Sequence, residues 1–255
     1  MTGPVGASDV AAVVLAAGGS ARMGKPKLAL PWGDTSILGQ VLATYRAAGI
    51  ARIVVAVRAG DAAAVAAADA AGARWTAVDA RRLGGGPTPS LQAAMADLAM
   101  LAALAGDATD RAATGRRALD REAADGTRPG AGAAGAWADA VGLLVQPADM
   151  PLVTAASVAA VVAAFRALPL ADRGQAIIAP SYAGQRGHPV LFGPAHQAAL
   201  RALAPDRPPR TIVATHHRWV RLVDVPDPGV TLDIDDDAAY RRHCPSATAR
   251  PSVGG

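Results

Sequence analysis

The stretch VAAVVLAAGGSARMGKPKLAL, residues Val10 to Leu30, decides the fold. Its apolar run from Val10 to Ala17, with Val13, Val14 and Leu15 at the centre, has the pattern of a strand buried on both faces. The run breaks at Gly18-Gly19-Ser20, where small residues let a ligand approach the backbone closely. Arg22, Lys25 and Lys27 follow directly. A buried strand, a glycine turn and clustered cations, in that order, are the parts of a polyphosphate site.

Two phosphate motifs are excluded. Gly19-Ser20-Ala21-Arg22-Met23-Gly24-Lys25 opens like a P-loop, but Pro26 stands where a Ser or Thr hydroxyl must reach the metal. Proline also removes a backbone N–H and keeps Lys25 from helical angles. The dinucleotide fingerprint fails because the second strand ends at Val57-Arg58, with no carboxylate for a ribose hydroxyl.

Outward from this stretch, Asp34, Thr35 and Ser36 offer N-caps for a helix through about Ala48, and Gly49 stops it. Ile53–Val57 reads as a second buried strand. Asp61 caps an alanine-rich helix ended by Gly72, and Arg74–Val78 is a third, weaker strand. This βαβαβ rhythm predicts a parallel sheet with helices on both faces. Ligands of such sheets sit beyond the carboxyl ends of the strands, where Gly18 and Asp79 would lie. A turn-rich loop, Leu83 to Pro89, leads into a helix from about Ser90 to Ala105.

Gly106 to Ala140 is different material, rich in Ala, Gly, Arg and Asp with almost no large apolar residue. It cannot bury enough surface to offset its ordering entropy and reads as a disordered insertion. Val141–Gln146 is the fourth strand. Pro147-Ala148-Asp149-Met150-Pro151-Leu152-Val153 then sets a carboxylate just past it, and Thr154 caps the next helix. Taken alone, Asp149 reads as a turn residue. Strands are expected at Ala176–Pro180, Val220–Val225 and Val230–Ile234, with helices at Ala195–Leu203 and from Arg210 to Thr215. Alternation along the last strand would put Asp233 and Asp235 on one face.

Composition bounds the class. A chain of 255 residues suits one α/β domain, and a formal charge of +4 names no nucleic-acid partner. Cys244 is the only cysteine, which excludes internal disulfides and a cysteine metal cluster. No apolar run is long enough for a membrane span. The opening MTGPVGASD lacks the pattern of a signal peptide, so a cytoplasmic location is expected.

Leu15-Ala16-Ala17-Gly18-Gly19-Ser20-Ala21-Arg22-Met23-Gly24-Lys25-Pro26-Lys27-Leu28-Ala29-Leu30 resembles the signature L-A-A-G-x-S-x-R-M-G-x-x-K-x-L-L. This is the signature of nucleotidyltransferases with a glycosyltransferase-A-like fold, in particular the MobA-like transferases and, among them, the molybdopterin cytidylyltransferases. Pro147–Val153 is similar to that family's L-x-D-M-P-L-V, Gly187-His188-Pro189-Val190-Leu191-Phe192 to its G-H-P-V-L-F, and Asp233-Ile234-Asp235-Asp236-Asp237 to its D-I-D-T-P-E-D.

The resemblance implies a single three-layer, Rossmann-like α/β domain with a mostly parallel sheet, of the nucleotide-diphospho-sugar transferase type. It would cover residues 9–243 around the 106–140 insertion, with flexible tails at 1–8 and 245–255. Leu15, Ala16, Ala17, Gly18, Gly19 and Lys25 would wrap the nucleotide, while Arg22 and Lys27 contact its phosphates. Asp149 would bind Mg²⁺, with Asp235 as the second ligand and Asp233 next in line. Thr88 and Ser90 would keep hydroxyls found in the family's G-M-S-S-S-L loop, although Pro87 and Pro89 delete two donors there. His188 would line the acceptor pocket.

The implied reaction moves a CMP (or GMP) unit from NTP to the phosphate of molybdopterin and releases pyrophosphate. Leu15-Ala16-Ala17-Gly18 favours CTP, because guanylyltransferases tend to carry L-A-G-G. A molybdoenzyme or its chaperone would receive the product, and neither nucleic acid nor membrane is expected as a partner. Two alternatives stand beside this reading: a transferase for another phosphorylated small molecule, such as a sugar phosphate or phospholactate, and a non-catalytic cofactor-binding protein on the same fold.

Overall fold

The computed structural model describes residues 9–18, 26–79, 86–98 and 142–245. Gly19, Arg22, Lys25, the 106–140 insertion, the 1–8 tail and the tail beyond residue 245 lie outside the described residues.

The opening apolar run forms strand β1 (Val10–Ala16). A 3-10 turn at Lys27–Ala29 and a two-strand ribbon, β2 (Pro31–Trp32) and β3 (Thr35–Ser36), then lead into helix α1 (Ile37–Ala47). Ser36 caps α1 by accepting from Gly39 N at 3.0 Å, and Gly49 follows its end at a φ of +80°. Strand β4 (Arg52–Arg58), helix α2 (Ala62–Ala70, capped by Asp61) and strand β5 (Arg74–Val78) complete the expected βαβαβ unit. Helix α3 occupies residues 88–98, starting earlier than Ser90 because the Pro-Thr-Pro run supplies its first turn.

Strand β6 (Gly142–Pro147) leads to helix α4 (Ala155–Arg166), capped by Thr154 as its hydroxyl pattern predicts. A short helix α5 (Leu170–Arg173), strands β7 (Ile177–Tyr182), β8 (Gln185–Arg186) and β9 (Val190–Phe192), and helices α6 (Pro194–Ala202) and α7 (Arg210–Thr215) follow. Strand β10 (Val220–Asp224) and helix α8 (Asp237–His243) close the chain. The strand expected over Val230–Ile234 does not form. Pro228–Thr231 makes a 3-10 turn instead, with Asp227 accepting from Gly229 N at 2.9 Å. Proline fixes the first turn angle and cannot donate to a ladder.

The strands pair in the order β10-β7-β9-β6-β1-β4-β5, with β8 hairpinned onto β7. All are parallel except β9, which runs antiparallel between β6 and β7, and β8. Alternate residues of the central strands feed two cores. Val10, Ala12, Val14 and Ala16 join α1, α2 and α4, while Val13 and Ala17 join α3, α6 and α7. This is a single three-layer α/β domain of Rossmann-like type. Because β1, β4, β6 and β7 all point the same way, their carboxyl ends share one edge of the sheet, and the chemistry-bearing motifs collect there.

Candidate active site

At the centre of that edge, β1 and β6 are neighbours, with Leu15 paired to Pro147 and Ala148 N donating to Leu15 O at 3.0 Å. The pairing brings the end of the glycine stretch, with Ala16 and Ala17 buried and Gly18 exposed, beside the Asp149 turn. Inside that turn Gln146 is buried. It accepts from Tyr45 Oη at 3.1 Å and reaches Met150 O at 3.4 Å, so the carboxylate stands on a braced loop.

Lys27 enters from the 3-10 turn after the glycine stretch and is only 8% exposed. Its Nζ donates to Asp149 Oδ2 at 2.8 Å and to Asp235 Oδ1 at 3.2 Å. Burial works against its charge, but the two carboxylates outweigh that and hold its pKa above the ordinary lysine value. Asp149 Oδ1 is buried with no hydrogen-bond partner. Asp233 stands close behind: its own burial and the charges of Asp235 and Asp149 push its pKa above the carboxylate norm.

The Asp235 segment is tied to Asp149 through the backbone, Ile234 N donating to Asp149 O at 2.8 Å. His188 flanks the same turn, its amide donating to Val230 O at 2.8 Å. The preceding Gly187 allows that approach, since a Cβ there would lie 2.2 Å from Val230 O. Burial holds the His188 imidazole below the ordinary histidine value, and its Nδ1 is buried without a partner.

The remaining candidates sit elsewhere. Asp79 follows β5, two strands out from β1, and is exposed. Thr88 and Ser90 are buried on α3, and the Thr88 hydroxyl donates to Arg207 O, which commits it to packing α3 against the 203–209 loop. The extra first turn made by Pro87 and Pro89 draws Thr88 into the fold. Sequence reasoning also passed over Arg58, whose Nη2 lies 3.4 Å from Ala17 O beside Gly18, and Asp227, described below. Arg58 ends a strand adjacent to β1, a placement visible only once pairing is known.

Among the described residues, no group of three His, Cys, Asp or Glu side chains is disposed to enclose a metal on its own. The site fits a hard divalent ion in another way. Mg²⁺ is commonly held by one or two carboxylates, with substrate phosphates and water completing the shell. Asp149 and Asp235 already face one cation, the Lys27 ammonium, and Asp149 keeps a spare buried oxygen. No helix among the described residues is long and apolar enough to cross a membrane.

Residues 12–219 match the MobA-like NTP transferase domain. The chain belongs to this family. It is a nucleotidyltransferase by that membership, on a fold whose members bind NTP substrates. Among solved structures, Rv0371c from Mycobacterium tuberculosis H37Rv is 26% identical, with a TM-score of 0.62 over 92% of this chain and 97% of that one. The complex of Rv0371c with manganese matches at 24% identity and a TM-score of 0.58, over 93% and 99% of the two chains. A nucleotidyl transferase from Methanothermobacter (Mth528) shares the fold at 17% identity, with a TM-score of 0.61 over 92% and 95%. No curated protein matches the chain.

Proposed function

We propose that this nucleotidyltransferase moves a CMP unit from CTP to the phosphate of a molybdopterin-type acceptor, releasing pyrophosphate. The observation that carries the reading is the meeting of Lys27, Asp149 and Asp235 at the carboxyl edge of β1 and β6, from segments 122 and 208 residues apart. The resemblance of Leu15-Ala16-Ala17-Gly18 to the cytidylyltransferase pattern supports CTP, and that of Gly187-His188-Pro189 supports the pterin.

In this reading an acceptor phosphate oxygen attacks the α-phosphorus, and the bond to the leaving pyrophosphate breaks. A phosphate monoester is anionic at neutral pH, so no general base is needed, and the task is to bring two anions together. Lys27 and Arg22 hold the outer phosphates and stabilise the departing charge. Gly18, Gly19 and Lys25 cradle the nucleotide, and Asp79 and Ser90 lie farther out along the same edge and its covering helix. Asp149 and Asp235, with Asp233 beside them, would hold a divalent ion, which would neutralise phosphate charge. The manganese found with Rv0371c supports such an ion. His188, kept neutral by burial, walls the acceptor side.

The loss of the Thr88 hydroxyl to Arg207 O favours a second reading, a different phosphorylated acceptor. Pyrophosphate release from CTP, GTP, ATP and UTP with Mg²⁺, with and without molybdopterin, separates them. CTP-selective release that requires molybdopterin is expected. Release that ignores molybdopterin but responds to another phosphomonoester moves the acceptor, and no release with any nucleotide overturns the transferase reading.

A further inference from the structure

Asp227 belongs to none of the motifs above, yet it is among the most heavily bonded side chains near the site. It is 6% exposed. Oδ2 accepts from Thr154 N at 2.9 Å, Thr154 Oγ1 at 2.8 Å and Ser157 Oγ at 2.6 Å, while Oδ1 accepts from Gly229 N at 2.9 Å. These partners are neutral donors, and a buried carboxylate is costly unless it is fully hydrogen-bonded. Capping α4 does not require it, because Thr154 Oγ1 already accepts from Ser157 N at 3.3 Å. The carboxylate instead joins two segments about seventy residues apart, the start of α4 behind Asp149 and the turn ahead of Asp235.

We propose that Asp227 is a positioning residue that fixes Asp235 opposite Asp149. The 227–235 turn has no ladder of its own, so its place depends on its anchors. After Asp227 comes Gly229, where a Cβ would lie 2.3 Å from Leu152 O, so the turn rests directly on the loop that carries Asp149. Val230 O then takes the His188 amide, and Ile234 N reaches Asp149 O. Each anchor lies on the Asp149 loop, on α4, or on the His188 segment, and Asp227 is the only charged one among these four. Releasing it frees the N-terminal end of the turn and lets the two carboxylates drift out of the separation that Lys27 now spans.

The inference rests on the transferase reading, and its test uses the full-length protein with Mn²⁺ and CTP as probes. In Asp227→Asn an amide donor faces the Thr154 and Ser157 donors. Ile234 should lose amide-exchange protection while β1 and β4 keep theirs, and Mn²⁺ half-saturation in the presence of CTP should rise about tenfold, as supporting bonds around metal ligands usually require. Ser157→Ala removes one donor and should move both readouts the same way by a smaller amount; it carries the test if Asp227→Asn does not fold. Unchanged Ile234 protection and Mn²⁺ uptake, with only a lower melting temperature, would reduce Asp227 to a brace for α4 and overturn the proposal. Wild-type protein that takes up Mn²⁺ with CTP but releases no pyrophosphate would sink the transferase reading alone, and wild-type protein that takes up no Mn²⁺ sinks both.

Discussion

Lys27 Nζ lies 2.8 Å from Asp149 Oδ2, so an internal ammonium stands between the carboxylates proposed to hold a divalent ion. An ammonium and a divalent ion would compete for these two carboxylates, and nucleotide phosphates would offer the lysine an alternative anion.

Lys27→Met should therefore have opposite effects on the two ligands. Mn²⁺ binding without nucleotide should tighten, because the resident cation is gone. The KM for NTP should rise about tenfold or more, since hydrogen bonds to charged groups are worth about 1.5–3 kcal/mol. Calorimetric Mn²⁺ titration and steady-state kinetics check both halves, and equal Mn²⁺ affinity in the two proteins would remove Lys27 from competition.

Asp149→Ala should abolish metal-dependent turnover while circular dichroism stays native. One of its oxygens has no partner among the described residues, and the Lys27 ammonium that meets the other keeps Asp235, so the fold tolerates the change. Retained turnover would take Asp149 out of the site.

Asp233→Asn should raise the melting temperature of metal-free protein at neutral pH. Burial and the charges of Asp235 and Asp149 hold the folded pKa above the unfolded one, so ionising Asp233 weakens the fold as pH rises. The variant's advantage should vanish on acidification below about pH 4, where carboxyls protonate in both states. Melting curves at the two pH values decide it.

Asp227 has the opposite sign. Burial opposes its charge, but the Ser157 and Thr154 donors outweigh it and hold its pKa below the ordinary 3.8. Its stabilisation is complete above that value and fades as pH falls through the folded pKa. Asp227→Asn should cost about 2 kcal/mol or more near pH 7, and the gap to wild type should close in acid unfolding below the ordinary carboxyl pKa.

Thr88→Val should cost about 1–2 kcal/mol through the abandoned Arg207 carbonyl, with the KM for NTP unchanged. A raised KM would return the hydroxyl to the site.

Much of this was legible in the chain. Val10–Ala16 announced a central strand because both faces are apolar, and Ser36, Asp61 and Thr154 marked helix starts through their own oxygens. Asp149 and Asp235 could be named from motif resemblance. What pattern alone missed was relational. The Val230–Ile234 segment looks like a strand by composition, but Pro228 and Gly229 start a 3-10 turn ahead of it, and it is held by Asp227, Leu152, His188 and Asp149 instead. The contact of Thr88 with Arg207 O likewise shows only in the packing of α3.

The reversed strand β9 has a consequence for how such a site can change. By separating β6 from β7 it sets their carboxyl ends two strand spacings apart, roughly 10 Å. A gap made by hydrogen-bonded backbone does not widen or narrow when surface loops are exchanged. In the proposed reaction it would act as a fixed gauge between the donor side at Asp149 and the acceptor side walled by His188, next to the exposed Gln185–Arg186 hairpin. New acceptors would then come from editing that exposed hairpin, while the reach from attacking phosphate to α-phosphorus stays as the sheet has ruled it.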